Sequence, residues 1–103
     1  MKCKTLRRNH LYRLRRSRRL EQKHLAVLLG YRGPAMISRM ETGAVLPSVQ
    51  NGLLLEMALG ARLPEIYIDL HRALEELILK RAAKLPEGLR RDLRGRLLGE
   101  DSR

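Results

Sequence analysis

LYRLRRSRRLEQKHLAVLLGYRGPAMISRMETGAVLP, residues Leu11–Pro47, is the stretch whose reading decides the fold. Its centre is Gly30-Tyr31-Arg32-Gly33-Pro34. Gly30 follows an apolar helical segment, at the place where a left-handed residue closes a helix and glycine adopts it cheaply. Pro34 suits a first helical position, because its missing N–H would have no partner there and its fixed φ is already helical. Ahead of this turn, Leu25, Ala26, Leu28 and Leu29 form the apolar side of a helix over 21–29. Behind it, Ile37 and Met40 turn inward from a helix over 34–41, which Thr42-Gly43 stops.

Outward from this pair, Asn9 caps a first helix over 10–19, with Leu11 and Leu14 facing inward among arginines. Ser48 caps a fourth helix over 49–59 that Gly60 ends. Its LLLEMAL segment is apolar nearly all round, so one side must bury against more than the first three helices. Glu56 inside that segment either faces outward or is buried and paired, with Arg39 or Arg62 as partners. Pro64 starts a long helix whose stripe is Ile66, Leu70, Ala73, Leu74, Leu77 and Ile78, and Pro86 breaks it. A basic amphipathic piece over 87–98 follows, with Leu89, Leu93 and Leu97. Leucine dominates, β-branched residues are few, and no run alternates at a period of two, so the fold class is all-α.

The net charge of +11 is concentrated. Residues 1–32 hold eleven Lys/Arg against Glu21 alone, giving +10, whereas residues 33–85 sum to zero. A focused basic field attracts polyanions and speeds encounter with them. No apolar run approaches the roughly 20 residues of a membrane span, and no apolar stretch follows the basic start as in a signal peptide. The lone Cys3 fits a reducing compartment, so a cytoplasmic location is expected. His10, His24 and His71 lack metal-ligand spacing with one another or with Cys3, so no metal is expected. No catalytic arrangement and no phosphate-loop or dinucleotide signature is present, so neither enzymatic activity nor a cofactor is expected.

Three short helices, two joined by a tight glycine turn, suit the offering of one helix to the major groove. The residues Leu11, Leu14-Arg15, Leu20, Gln22, Leu25-Ala26, Leu29-Gly30, Ile37-Ser38-Arg39, Glu41, Gly43 and Pro47 stand in order at the spacing of a known family. The stretch resembles the Xre family of helix-turn-helix proteins, which includes phage Cro and lambda-type repressors. The likeness continues through Leu59-Gly60 to Leu63–Tyr67, about half of the chain. It departs at Glu21, where the family has Ser, Thr or Asn, and in one extra residue of the turn, Arg32-Gly33 before Pro34.

The resemblance implies a five-helix lambda-repressor-like domain with a C-terminal helical extension. The layout is then a basic arm (1–8), a helix-turn-helix domain (9–63), a helical extension for dimerisation (64–98) and a disordered tail (99–103). It implies an ion pair between Arg15 and Glu41 that fixes helix orientation. With Ile37 and Met40 anchoring the third helix, Pro34, Ala35, Met36 and Arg39 face the bases. Only Arg39 offers a bidentate contact to guanine, while Ala35 and Met36 suit thymine methyl groups. Gln22, Lys23, Arg32 and Thr42 are expected at phosphates, and Gly33 with Pro34 brings the helix start close to the backbone. Ala26 and Ser38 are small where the second and third helices approach. The expected function is a double-stranded-DNA-binding transcriptional repressor. It acts as a homodimer joined through Ile66, Leu70, Leu74, Leu77 and Ile78. The competing reading is an antitoxin-like or anti-activator module whose residues 64–98 grip a partner protein. RNA binding is disfavoured by the near-absence of aromatic stacking residues.

Overall fold

Several helix boundaries have an identifiable chemical cause, a left-handed glycine after Leu29 and a serine cap before Val49 among them. The structure, a computed structural model, describes residues 9–99, and among them the chain is all-α with no strand. The helices are α1 (Leu11–Ser17), α2 (Gln22–Leu29), α3 (Ala35–Glu41), α4 (Val49–Leu59), α5 (Leu63–Ile66), α6 (Ile68–Ala82) and α7 (Glu87–Leu98). Two compact units divide the chain, Met1–His71 and Arg72–Arg103, and the division falls inside α6. Residues 1–8, where the basic arm is expected, and 100–103 of the expected tail lie outside the described residues.

Within the first unit, α2 packs against α3 and α4, α1 against α3, and α4 against α5. The core is Leu11, Leu25, Ala26, Leu29, Ile37, Met40, Leu55, Leu59, Ile66 and Tyr67. It collects one or more residues from each of the first five helices, which share one contiguous core. Ile37 and Met40 are both 0% exposed and root α3 from beneath. Gly30 closes α2 at φ 84°, and its neighbour Tyr31 donates its N–H to the Ala26 carbonyl at 2.8 Å. Ser48 caps α4 by accepting from the Asn51 N–H at 3.2 Å. Gly52 permits a close approach: a Cβ there would lie 3.0 Å from the Leu63 side chain.

Four sequence expectations are corrected. The first helix stops at Ser17, because Arg19 turns left-handed at φ 60° and the Leu20 N–H bonds back to the Arg15 carbonyl. Leu28 is not part of the apolar side of α2 but 51% exposed. Ser38 is exposed on α3 and does not line the approach to α2, a place taken by Ala26 at 1% exposure. The helix that Pro64 starts is not continuous into the stripe. It ends at Ile66, since the Ile66 carbonyl, which a continuing helix would use internally, accepts from the His10 N–H at 2.7 Å. Tyr67, at φ −117° and ψ 56°, breaks the chain direction before α6.

That break changes the role of Ile66. Expected at a dimer interface, it is 0% exposed inside the first unit's own core, and Leu70 packs partly against the same core. The first unit's core therefore takes in Ile66 and Tyr67 from beyond residue 63. In the second unit Leu74 is 51% and Ile78 41% exposed, Leu77 is half-buried, and Ala82 is buried. Helix α7 begins after Pro86 and ends at Gly99, left-handed at φ 73°.

Candidate functional site

The start of α2 and the end of α3 are held by one polar network. Arg15 of α1 is 4% exposed, which requires that its guanidinium be fully engaged. Its Nε donates to Glu41 Oε2 at 2.5 Å, its Nη2 to Glu41 Oε1 at 3.3 Å, and its Nη1 to the Leu20 carbonyl at 2.8 Å. The planar fork thus grips the carboxylate at the end of α3 and the backbone just before α2 together. Gln22, the first residue of α2, donates Nε2–H to Glu41 Oε1 at 2.9 Å. An amide nitrogen carries two hydrogens, so this bond fixes the direction of the group and leaves one donor. Asn9 adds a tie from outside the helices, accepting from the Leu11 N–H at 3.0 Å and donating to the Met40 carbonyl at 3.1 Å.

The network leaves a defined outer face on α3. Pro34, Ala35, Arg39 and Thr42 are exposed, and Met36 is half-buried. Arg39 makes no ion pair among the described residues, with neither Glu41 nor Glu56, so its guanidinium is available to an external group. Thr42 turns its hydroxyl to the Arg39 carbonyl at 3.1 Å and closes the helix. Arg32 is exposed in the turn, and a Cβ added at Gly33 would meet nothing within 4 Å. Lys23 is exposed at the start of α2, with only a loose 3.7 Å contact to Glu21. A surface pair of that kind contributes about 0–1 kcal/mol and yields readily to a stronger anion.

Glu21 is no simple obstacle to an anionic partner. Its N–H donates to His24 Nδ1 at 2.9 Å, which organises the start of α2. Tyr31 in the turn is anchored to α4, its hydroxyl accepting from Asn51 Nδ2 at 2.7 Å. The turn is thereby fixed at both sides, by Gly30 on α2 and by Tyr31 on α4.

Glu56, which the sequence left ambiguous, and Arg18 are structural. Glu56 pairs with neither Arg39 nor Arg62; its Oε2 accepts from the Leu63 N–H at 2.7 Å and so caps α5. Arg18 donates Nε–H to the Leu59 carbonyl at 2.7 Å, satisfying the end of α4. No sequence signal marks the Arg18 contact, because Arg18 and Leu59 are 41 residues apart. Helix α1's Tyr12 lies under two guanidiniums, those of Arg15 at 5.2 Å and Arg16 at 5.9 Å from the ring centre. Arg13, Arg16, Arg18 and Arg19 are exposed along α1 and after it, a cationic margin to the same unit.

Among the described residues no group of three or more His, Cys, Asp or Glu is placed to hold a metal ion. No helix among them is long and apolar enough to cross a membrane. No family model, curated protein or solved structure matches the chain.

Proposed function

We propose that the chain is a sequence-specific double-stranded-DNA-binding regulator, a lambda-repressor-like helix-turn-helix protein that offers α3 to the major groove and represses by occupying a promoter. The mounting of α3 carries this reading. Ile37 and Met40 are wholly buried beneath it, the Arg15–Glu41–Gln22 network fixes its end, and an unpaired Arg39 with Ala35 stands on its outer side. A helix that only filled space would need no such orientation, and its exposed face would need no free arginine beside a field of +10. Arg39 reads guanine, Ala35 and Met36 touch thymine methyl groups, and Gln22, Lys23, Arg32 and Thr42 meet phosphates. Gly33 and Pro34 let the backbone approach closely. The protein is a binder without cofactor or catalysis, and it acts as a homodimer in the cytoplasm.

A second reading has its own observation. Leu74, Ile78, Leu85, Leu89 and Leu98 are each more than two-fifths exposed on or between α6 and α7. Apolar residues left open in this way suit an antitoxin-like or anti-activator module in which the second unit grips a partner protein.

Fluorescence anisotropy against the gene's own upstream DNA and a scrambled duplex, across a salt series, tests the proposal. An operator reader binds its own site at least about a thousand times more tightly than the scrambled duplex. Equal affinities that fall steeply with salt would mean that the field binds and the helix does not read. On the specific site, Arg39→Ala costs about 1–3 kcal/mol and relaxes one base position. A uniform loss over all sequences would make Arg39 a phosphate ligand.

A further inference from the structure

Helix α4 presents a row that the first unit does not use. Gly52, Leu55 and Leu59 are buried on its inner side, as its packing requires. On the other side Val49 is 81%, Leu53 49% and Met57 75% exposed, at positions i, i+4 and i+8. Such spacing aligns side chains in one stripe along a helix. Leu46, three residues ahead of Val49, is 47% exposed as well. Gln50, between Val49 and Leu53 in sequence, is exposed and uncharged. The single charged residue of α4, Glu56, is half-buried and bonded to the Leu63 N–H, so the exposed row of α4 itself contains no charged residue in a chain of net charge +11.

We infer that this face is a self-association surface, on which α4 packs antiparallel against α4 of a second copy. The row is symmetric about its middle residue. A twofold axis through Leu53 sets Leu53 against Leu53 of the second copy and Val49 against its Met57, so each side chain meets an apolar partner without any change of register. Charge selects the same occupant. A partner that recognised this strongly basic chain by electrostatics would dock where arginines are exposed, whereas two like-charged copies approach at least cost through a row that contains no charged residue. Three side chains and Leu46 cover well under the roughly 800 Å² per partner of a standard interface, so the free association is weak and reversible. This inference shares the homodimer with the proposed function but moves the contact from the α6 stripe to α4, in the same unit as α3.

Sedimentation equilibrium of the full chain without DNA tests it, at concentrations up to several hundred micromolar. The wild type is expected to dimerise in the micromolar range. Leu53→Glu and, separately, Met57→Lys raise the dissociation constant at least about tenfold with unchanged helical content, since both positions face solvent in the single chain. Leu74→Glu with Ile78→Glu leaves it unchanged. In a Cys3→Ser background, Leu53→Cys is captured as a dimer by a short bismaleimide, as a residue on the axis requires. A dimer that survives Leu53→Glu and falls apart in the α6 variant would overturn the α4 surface and keep the homodimer. A wild type that stays monomeric throughout would overturn both, leaving the anisotropy measurement to judge DNA reading by itself.

Discussion

Arg15 and Tyr67 are buried almost equally, at 4% and 5% exposure, and are treated in opposite ways. The guanidinium of Arg15 donates to Glu41 through two nitrogens and to the Leu20 carbonyl through the third, and Glu41 accepts from Gln22 in addition. Among the described residues the Tyr67 hydroxyl has no hydrogen-bond partner. A buried pair of charges is seldom a net source of stability, because desolvation cancels most of the attraction. What it does supply is direction, since any other orientation of α1, α2 and α3 leaves a charge stranded. The Tyr67 side chain supplies volume at the break between α5 and α6 and makes no hydrogen bond among the described residues. The polar chemistry of the interior is spent where one helix must be aimed.

The comparison breaks most visibly if one half of the pair is removed. Arg15→Ala leaves the Glu41 carboxylate buried with Gln22 as its remaining side-chain partner and is expected to cost about 3–5 kcal/mol in urea denaturation. Unchanged stability would show that water replaces the guanidinium freely and that the pair has no orienting role. The double variant Arg15→Met, Glu41→Leu sharpens the point. Replacing a buried ion pair with apolar residues of similar size is near neutral in stability. If the pair aims α3, the double variant folds like the wild type yet discriminates poorly between specific and scrambled DNA.

Tyr67 gives the next largest effect, and it appears with pH. Burial disfavours the phenolate and pushes the hydroxyl from its usual 10.0 up to about 12. The unfolded chain therefore loses this proton first. Stability from the group is intact below pH 10 and falls as pH rises from 10 to about 12. A two-unit difference corresponds to a loss of about 2–3 kcal/mol. Tyr67→Phe has no proton to lose, so subtracting its pH profile from that of the wild type isolates the effect from lysines and the other tyrosines. A difference that stays flat through this window would mean that the hydroxyl is hydrated in the folded chain. At neutral pH the same variant removes an unpartnered polar atom and is expected to be more stable by about 1 kcal/mol in thermal denaturation.

Much of this arrangement was legible in the sequence where the cause is local. Gly30, Ser48 and Gly60 each mark a helix end by their own conformational or capping chemistry, and the structure uses them so. The burial of Ile37 and Met40 follows from helical spacing alone. What the sequence hides is set by distant partners. Pro64 announces a helix, but its end at Ile66 depends on the His10 N–H, 56 positions earlier in the chain. Glu56 reads as a choice between two arginines, and its actual partner is a backbone N–H exposed by the start of α5. Gln22 reads as a free contact residue, although Glu41 already holds one of its two hydrogens. In the candidate site the residue types were readable from pattern, while which donors stay free was decided by packing.

The smallest expected effect concerns a position that the pattern missed. Arg19 ends the region around α1 in the left-handed conformation at φ 60°, where a Cβ crowds the backbone. It is exposed, and among the described residues no hydrogen bond or ion pair of its side chain compensates the strain. Arg19→Gly relieves the strain but adds freedom to the unfolded chain, so the net gain is about 0.5–1 kcal/mol. Urea denaturation measures it. The same substitution removes one positive charge beside α2, so at low salt it weakens binding to scrambled and specific DNA alike. A loss confined to the specific site would instead assign Arg19 to base reading and extend the aimed surface from α3 to the end of α1.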